Sequence, residues 1–377
     1  MTKPDTAPEL SLLIAAVLRE KPIALEGVAL LEIDPEFLLH LAKLHQVRSL
    51  LFEHLSSHTN TSLGSIMDEL KGHQIHEAVY NMMSLKKSVD IYQDFLQNGL
   101  QVFLMKGALW AWLFYESPSL REFGDIDYFF AQADIEKGLK ILEQHGYVID
   151  AYRQFLITES KLNLDYFATD YQLPLEPVHE DIVKSLEVQW NTTYPRFAYT
   201  FTWHELMENS IRVDLSGREL EIPRMENQLL LMIIHHAGIE QWGKLKYVAD
   251  FVRLLRKFSD QLDWAYITRV AKVKGFLRLL LESIGMVKVL TGENYFPYLE
   301  GTPDSYAHYP NEKFLRDIQY AWGNIQQKPL TKSWQILSFN LKFRDSNSYR
   351  LKILFKHLTY MMNVKLLFYK AKWYAKM

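Results

Sequence analysis

Cysteine is missing from all 377 residues, which excludes disulfides, thiolate catalysis and cysteine-ligated zinc together. A chain without thiols suits a reducing compartment, so a cytoplasmic location is expected. There is also no apolar run near the roughly 18 residues that a membrane-spanning helix needs. The apolar stretch Ser11–Leu18 follows acidic Asp5 and Glu9 rather than a basic region, so it reads as a helix and not as a secretory leader. Charge of either sign is scarce in excess: the net value is −3 at pH 7. That gives no global electrostatic reason to bind nucleic acid, although a near-neutral total can conceal a basic patch.

What is present is ordinary globular material, 48% hydrophobic and 23% charged, with enough apolar surface for sizeable cores. The length permits two or three domains. Residues 1–98 read as an N-terminal helical region, in which Leu38, Leu39, Leu41, Leu44 and Val47 recur at near-helical spacing and Asp34–Pro35 supplies an N-cap and a first-turn proline. Residues 99–222 read as an α/β core. It opens with a break at Asn98–Gly99, the strand-like run Leu100–Met105, the turn Lys106–Gly107 and a helix over Ala108–Tyr115. Past Pro118 comes a strand at Asp125–Phe130, a helix from about Asp134 to His145, and further strands within 147–202, among them Leu186–Trp190. Residues 223–377 return to the helical pattern, with Leu229–Ile234, Leu245–Leu255 and Trp264–Leu290 as amphipathic segments and 291–312 as a connecting loop. The expected fold class is α+β: a small mixed sheet with helices, flanked by N-terminal and C-terminal helical regions.

Asp125 and Asp127 stand two apart in a strand-like run, so their side chains leave the same face and can share one cation. Two carboxylates that close repel unless a cation neutralises them. Asp-x-Asp alone also describes many solvated strand ends. Upstream, Lys106–Gly107 sits where a strand turns into a helix, a place at which glycine allows close approach, the helix start favours phosphate oxygens and lysine adds positive charge; an ordinary β–α turn would look the same. Arg121 could reach a phosphate or pair with a carboxylate, because its planar fork suits both. His235 and His236 lie in an apolar helix with Glu240 four residues past His236, but two ligands do not make a zinc site and a structural histidine is the plainer reading. The tail from Lys342 onward interleaves nine Lys or Arg with apolar residues against one acid, Asp345. Either a closing helix or a weak contact with an anionic membrane surface or nucleic acid would account for it.

Taken together, Leu104–Met105–Lys106–Gly107–Ala108, then Tyr115, Pro118 and Arg121, then Asp125–Ile126–Asp127 resemble the uncharacterised nucleotidyltransferase family found widely in bacteria, a branch of the polymerase-β-like superfamily. Leu186–Glu187–Val188–Gln189–Trp190 looks like the family's acidic strand, and His236, Trp242, Leu245 and Asp250 look like its helical segment, over roughly residues 30 to 285. The resemblance implies a polymerase-β-like core in which Asp125, Asp127 and Glu187 bind Mg2+ (or Mn2+) and Lys106, Gly107 and Arg121 meet a nucleoside triphosphate. It implies transfer of a nucleoside monophosphate to a hydroxyl of an unknown acceptor, with pyrophosphate leaving. Glu176 and Asp214 are rival third acids, each flanked by apolar residues. The sequence departs from the family pattern at Ala108, where serine or glycine is usual, at Gln189, where histidine is common, and at Glu240, where a second helical histidine is expected. A degenerate module that binds nucleotide or a partner without chemistry is therefore the competing reading, and convergence of three carboxylates distinguishes the two.

Overall fold

In the computed structural model, which describes residues 7–18, 33–56, 63–299, 306–323 and 329–375, four helices come first: α1 Pro8–Leu18, α2 Pro35–His45, α3 Arg48–Ser56 and α4 Gly64–Gln97. Asp34 caps α2 as its sequence suggests. Its carboxylate accepts from the N–H groups of Glu36 and Phe37 at 3.0 and 3.3 Å, and Pro35 opens the first turn without needing a donor. The helical expectation for residues 8–98 is met over the described residues, while 19–32 and 57–62 lie outside them.

The mixed region follows: β1 Val102–Met105, α5 Gly107–Phe114, β2 Ile126–Phe130, α6 Ile135–Gln144, β3 Tyr147–Ile149, α7 Ala151–Gln154, α8 Asn163–Thr169, β4 Gln172–Pro177, β5 Leu186–Gln189, α9 Trp203–Met207, β6 Ser210–Asp214 and β7 Glu219–Pro223. Five strands form one sheet in the order β1-β2-β5-β4-β3. Only β2 and β5 run parallel; the other neighbours are antiparallel, so the sheet is mixed. Two features depart from the sequence reading. Residues 151–169, expected within a strand-rich stretch, are largely helical, because Asp150 caps α7 by accepting from the Arg153 N–H at 3.0 Å and the aromatic residues bury one side of the helical turns rather than alternating. The β6–β7 hairpin was not anticipated. Its two-residue turn places Ser216 and Gly217 at φ 57° and 79°, the left-handed pair that lets a tight hairpin keep its twist, and the available signals were Ser-Gly and the polar–apolar alternation of the runs on either side of it.

The helices α10 Met225–Met232, α11 Leu245–Phe258, α12 Trp264–Val273, α13 Leu277–Thr291, α14 Glu312–Gly323, α15 Pro329–Phe343, α16 Asn347–Met362 and α17 Val364–Tyr374 complete the chain. Gly275, at φ 74°, separates α12 from α13 within the run that the periodicity marks as amphipathic. The observed fold is α+β with helical regions on both sides of the sheet in sequence. No helix among the described residues is long and apolar enough to cross a membrane.

Contacts divide the chain into two compact units that interleave along the sequence. One comprises residues 1–82, 110–123 and 235–339; the other comprises 83–109, 124–234 and 340–377. The first is helical. In it α1 packs on α2, α3, α11 and α13, and Trp242 and Trp322 are fully buried, with the Trp322 indole N–H donating to the Trp242 carbonyl at 2.7 Å. The second contains the sheet. On one sheet face Tyr128 and Phe130 lie edge-on to Phe95 of α4, each with ring centroids 5.1 Å apart, and the Tyr128 hydroxyl donates to the Ser88 carbonyl at 2.8 Å. Gly138 of α6 is pressed against Phe130, where an added Cβ would stand 2.6 Å from the ring. On the opposite face Phe103 and Phe129 lie against Trp203. The tail helices belong to this unit. Arg344 donates to the Phe197 carbonyl and lies 3.6 Å from the Tyr199 ring centre, Asn363 donates to Asp165 at 2.7 Å, and Lys370 pairs with Asp170 at 3.0 Å.

Candidate acidic site

The parallel pairing of β2 with β5 sets Asp127 directly opposite Glu187. Neighbouring strands are about 4.8 Å apart and registered residues share a face, so the two carboxylates are brought together by backbone geometry alone. Asp125, two residues before Asp127 at the entrance to β2, emerges on the same side. Carboxylate oxygens of Asp125, Asp127 and Glu187 all lie within 4.8 Å of one another. Asp127 is only 2% exposed, whereas Asp125 and Glu187 are half-buried. The rival acids stand elsewhere: Glu176 is exposed on β4, and Asp214 is exposed and accepts from the Gly217 N–H at 3.0 Å in the hairpin turn.

Gln189 ties the acids together. Registered beside Phe129 and two residues beyond Glu187, it faces the same way as both carboxylates. Its buried amide nitrogen donates to Asp127 Oδ1 at 2.6 Å and to Glu187 Oε2 at 3.2 Å, and approaches Gln172 Oε1 at 3.4 Å. Gln172, opposite it on β4, donates to Glu187 Oε1 at 2.8 Å. The sequence places Gln189 on the face of Glu187 and marks it as a departure from a histidine, but gives it no role and does not single out Gln172. The spacing of Gln189 from Glu187 carried a readable signal; the contribution of Gln172 depends on the β4–β5 register, which no local pattern displays.

The electrostatics of the site invite a cation. Burial pushes the Asp127 carboxyl well above the usual carboxylate range; Lys106 pulls it back down, while Asp125 and Glu187 push it further up. Lys106 stands at the end of β1, whose Met105 is registered opposite Asp127. It holds φ 45°, a left-handed backbone that a side chain with a Cβ adopts at a cost, and Gly107 follows at φ 32° to begin α5. Three carboxylates offering only oxygen, with one buried, suit a hard divalent cation such as Mg2+ or Mn2+.

Arg121 is placed in the first unit. Its Nε and Nη2 donate to the two oxygens of buried Asp250 at 2.8 and 2.9 Å, and the Tyr115 hydroxyl donates to the same carboxylate at 2.8 Å. Of the two roles open to Arg121, pairing with a carboxylate is the one the structure displays, and its guanidinium is buried against Asp250. His236 completes this cluster, with Nε2 3.2 Å from Asp250 and its ring stacked on Tyr247. His235, His236 and Glu240 form no metal-ligating group of three among the described residues.

An α+β sheet that carries three converging carboxylates on adjacent strands, next to a lysine–glycine turn, defines a protein with an acidic, cation-ready site. Residues 32–292 match the family described as uncharacterised nucleotidyltransferase. The chain belongs to that family, which points to nucleotidyl transfer in general. No curated protein and no solved structure matches it.

Proposed function

We propose that this chain is a metal-dependent nucleotidyltransferase of the polymerase-β-like kind, moving a nucleoside monophosphate from a nucleoside triphosphate to a hydroxyl of an acceptor and releasing pyrophosphate. The observation that carries the reading is the β2–β5 register, which gathers Asp125, Asp127 and Glu187 into one cluster on a chain of this family. Those three side chains would hold Mg2+ or Mn2+, which when bound neutralises triphosphate charge and polarises the attacked phosphorus. Gln189 and Gln172 donate to the carboxylates from the protein side and so fix their orientation. Lys106 supplies positive charge to the phosphates at the turn, and the first N–H groups of α5 supply donors. Ala108 offers no hydroxyl, so the backbone and Lys106 carry that contact.

Incubating the full chain and Mg2+ with each labelled triphosphate and a cell extract tests this. We expect one or more acceptors to become labelled, and labelling to vanish in Asp127→Asn. Label that persists undiminished in that variant, or none with any triphosphate, would sink the proposal. Thermal shifts with each triphosphate in Mg2+ separate loss of binding from loss of chemistry.

A further inference from the structure

A second cluster of ligand-type side chains lies in the helical unit. His73 and Glu77 are four residues apart on α4 and therefore share a face. Glu122 is brought beside them by Asn81, whose amide donates to the carbonyls of Pro118 and Arg121 at 2.7 and 3.0 Å and so clamps that segment onto α4. One ligand atom from each of His73, Glu77 and Glu122 lies within 4.8 Å of the other two.

The spacing, at the long end for a direct ion pair, matches that of a chelating set. His73 Nε2 stands 3.3 Å from Glu122 Oε1 and 3.7 Å from Glu77 Oε1. Ligands about 2.0–2.1 Å from a tetrahedral cation are separated from each other by about 3.3 Å. Both His73 Nε2 and Glu77 Oε2 are buried without a hydrogen-bond partner, and Glu77 is 8% exposed and Glu122 3%. Unpartnered buried polar atoms are costly, and two of them in one acid-rich pocket indicate a missing partner that accepts lone pairs. Glu122 is already oriented for that role. Arg48 donates to it from its backbone N–H at 2.6 Å, from Nε at 3.3 Å and from Nη2 at 2.7 Å, which holds the carboxylate with Oε1 toward His73.

We propose that His73, Glu77 and Glu122 form a binding site for a transition-metal cation of the Zn2+ type, separate in residues and in ligand chemistry from the all-oxygen cluster of Asp125, Asp127 and Glu187. One imidazole and two carboxylates suit Zn2+ better than Mg2+, and three protein ligands leave a fourth position open. The proposal does not depend on the transfer reaction.

The test is calorimetric titration of chelator-treated full chain with Zn2+, in an Asp125→Asn/Asp127→Asn background so that binding at the other cluster does not count. We expect one saturable equivalent, at least tenfold weaker binding in Glu77→Gln, and none in His73→Gln, with circular dichroism verifying the fold. Bound Zn2+ should also shield His73 of the background chain from diethyl pyrocarbonate, a readout that needs no variant at the site. Absence of a saturable equivalent, unchanged affinity in both variants, or equal modification of His73 with and without Zn2+ would each overturn the assignment.

Discussion

Replacing Gln189 by Leu removes an amide while nearly keeping the volume, and so isolates what that amide does for the acidic cluster. Two donations are lost, at 2.6 Å to Asp127 and 3.2 Å to Glu187. Hydrogen bonds to charged groups are each worth about 1.5–3 kcal/mol, but water or a rotated carboxylate recovers part of that. Partners that orient metal-binding carboxylates cost about 10–100-fold in metal affinity when removed, which is about 1.4–2.7 kcal/mol. The Leu variant should therefore bind Mn2+ about 10–100-fold more weakly in a calorimetric titration. Gln189→His, which restores an N–H donor at the position, should recover most of the loss. Equal Mn2+ affinity in Leu variant and parent would refute the orienting role, and a His variant as weak as Leu would show that the amide's shape matters rather than its donor.

Lys106→Ala should weaken triphosphate binding by about tenfold or more, the scale of one charge-assisted contact, in calorimetry with Mg2+; unchanged affinity would return Lys106 to an ordinary turn residue. Because the Asp127 carboxyl is raised in the fold, a proton competes with a cation there more strongly than at an ordinary carboxylate. Cation affinity should rise with pH through and above the ordinary carboxylate range and flatten in Asp127→Asn, and without a cation the same group contributes stability that is present at low pH and lost as pH rises through its raised value. His45 is fully buried, with Nδ1 accepting from the Leu245 N–H at 3.2 Å and Nε2 facing the Trp322 carbonyl at 3.1 Å. Burial lowers it to about 4 from 6.5, so denaturant titrations should show stability falling as pH drops between those values, by about 3 kcal/mol in all, a slope that His45→Gln should abolish. Asp250→Asn leaves the Arg121 guanidinium buried without its counter-ion and should cost roughly 3–5 kcal/mol in urea unfolding.

Much of the fold was legible because its signals are local. Asp34–Pro35, the break at Asn98–Gly99 and the aromatic run after Asp127 each act within a few residues, and the corresponding helix starts and strands lie where those signals put them. The stretch 147–202 was harder. Tyr, Phe and Leu are abundant in it whether it forms strands or short buried helices, and only the Asp150 cap distinguishes the helical part. The β6–β7 hairpin, by contrast, carries local signals: Ser210–Asp214 and Glu219–Pro223 alternate polar and apolar residues on either side of a Ser-Gly turn, a pattern the reading of 147–202 as the strand-bearing stretch passed over.

The acidic site divides along the same line. Asp125 and Asp127 sit two apart in one strand, and a period of two is enough to put them on one face. Glu187 comes from a strand about 60 residues later, and its arrival depends on a parallel register that sequence does not display; it was named through a family likeness. Once that register is given, the rest follows from it: Gln189 must share the face of Glu187, and the antiparallel partner of Gln189 on β4 is Gln172. The glutamine at 189, which looks like a loss when compared with histidine, thereby supplies an N–H to two carboxylates at once. The physical cost of burying an ionised Asp127 among Asp125 and Glu187 is met in part by Lys106 and by protonation, and a cation entering the cluster would relieve the rest; that is the step the Gln189→Leu titration measures.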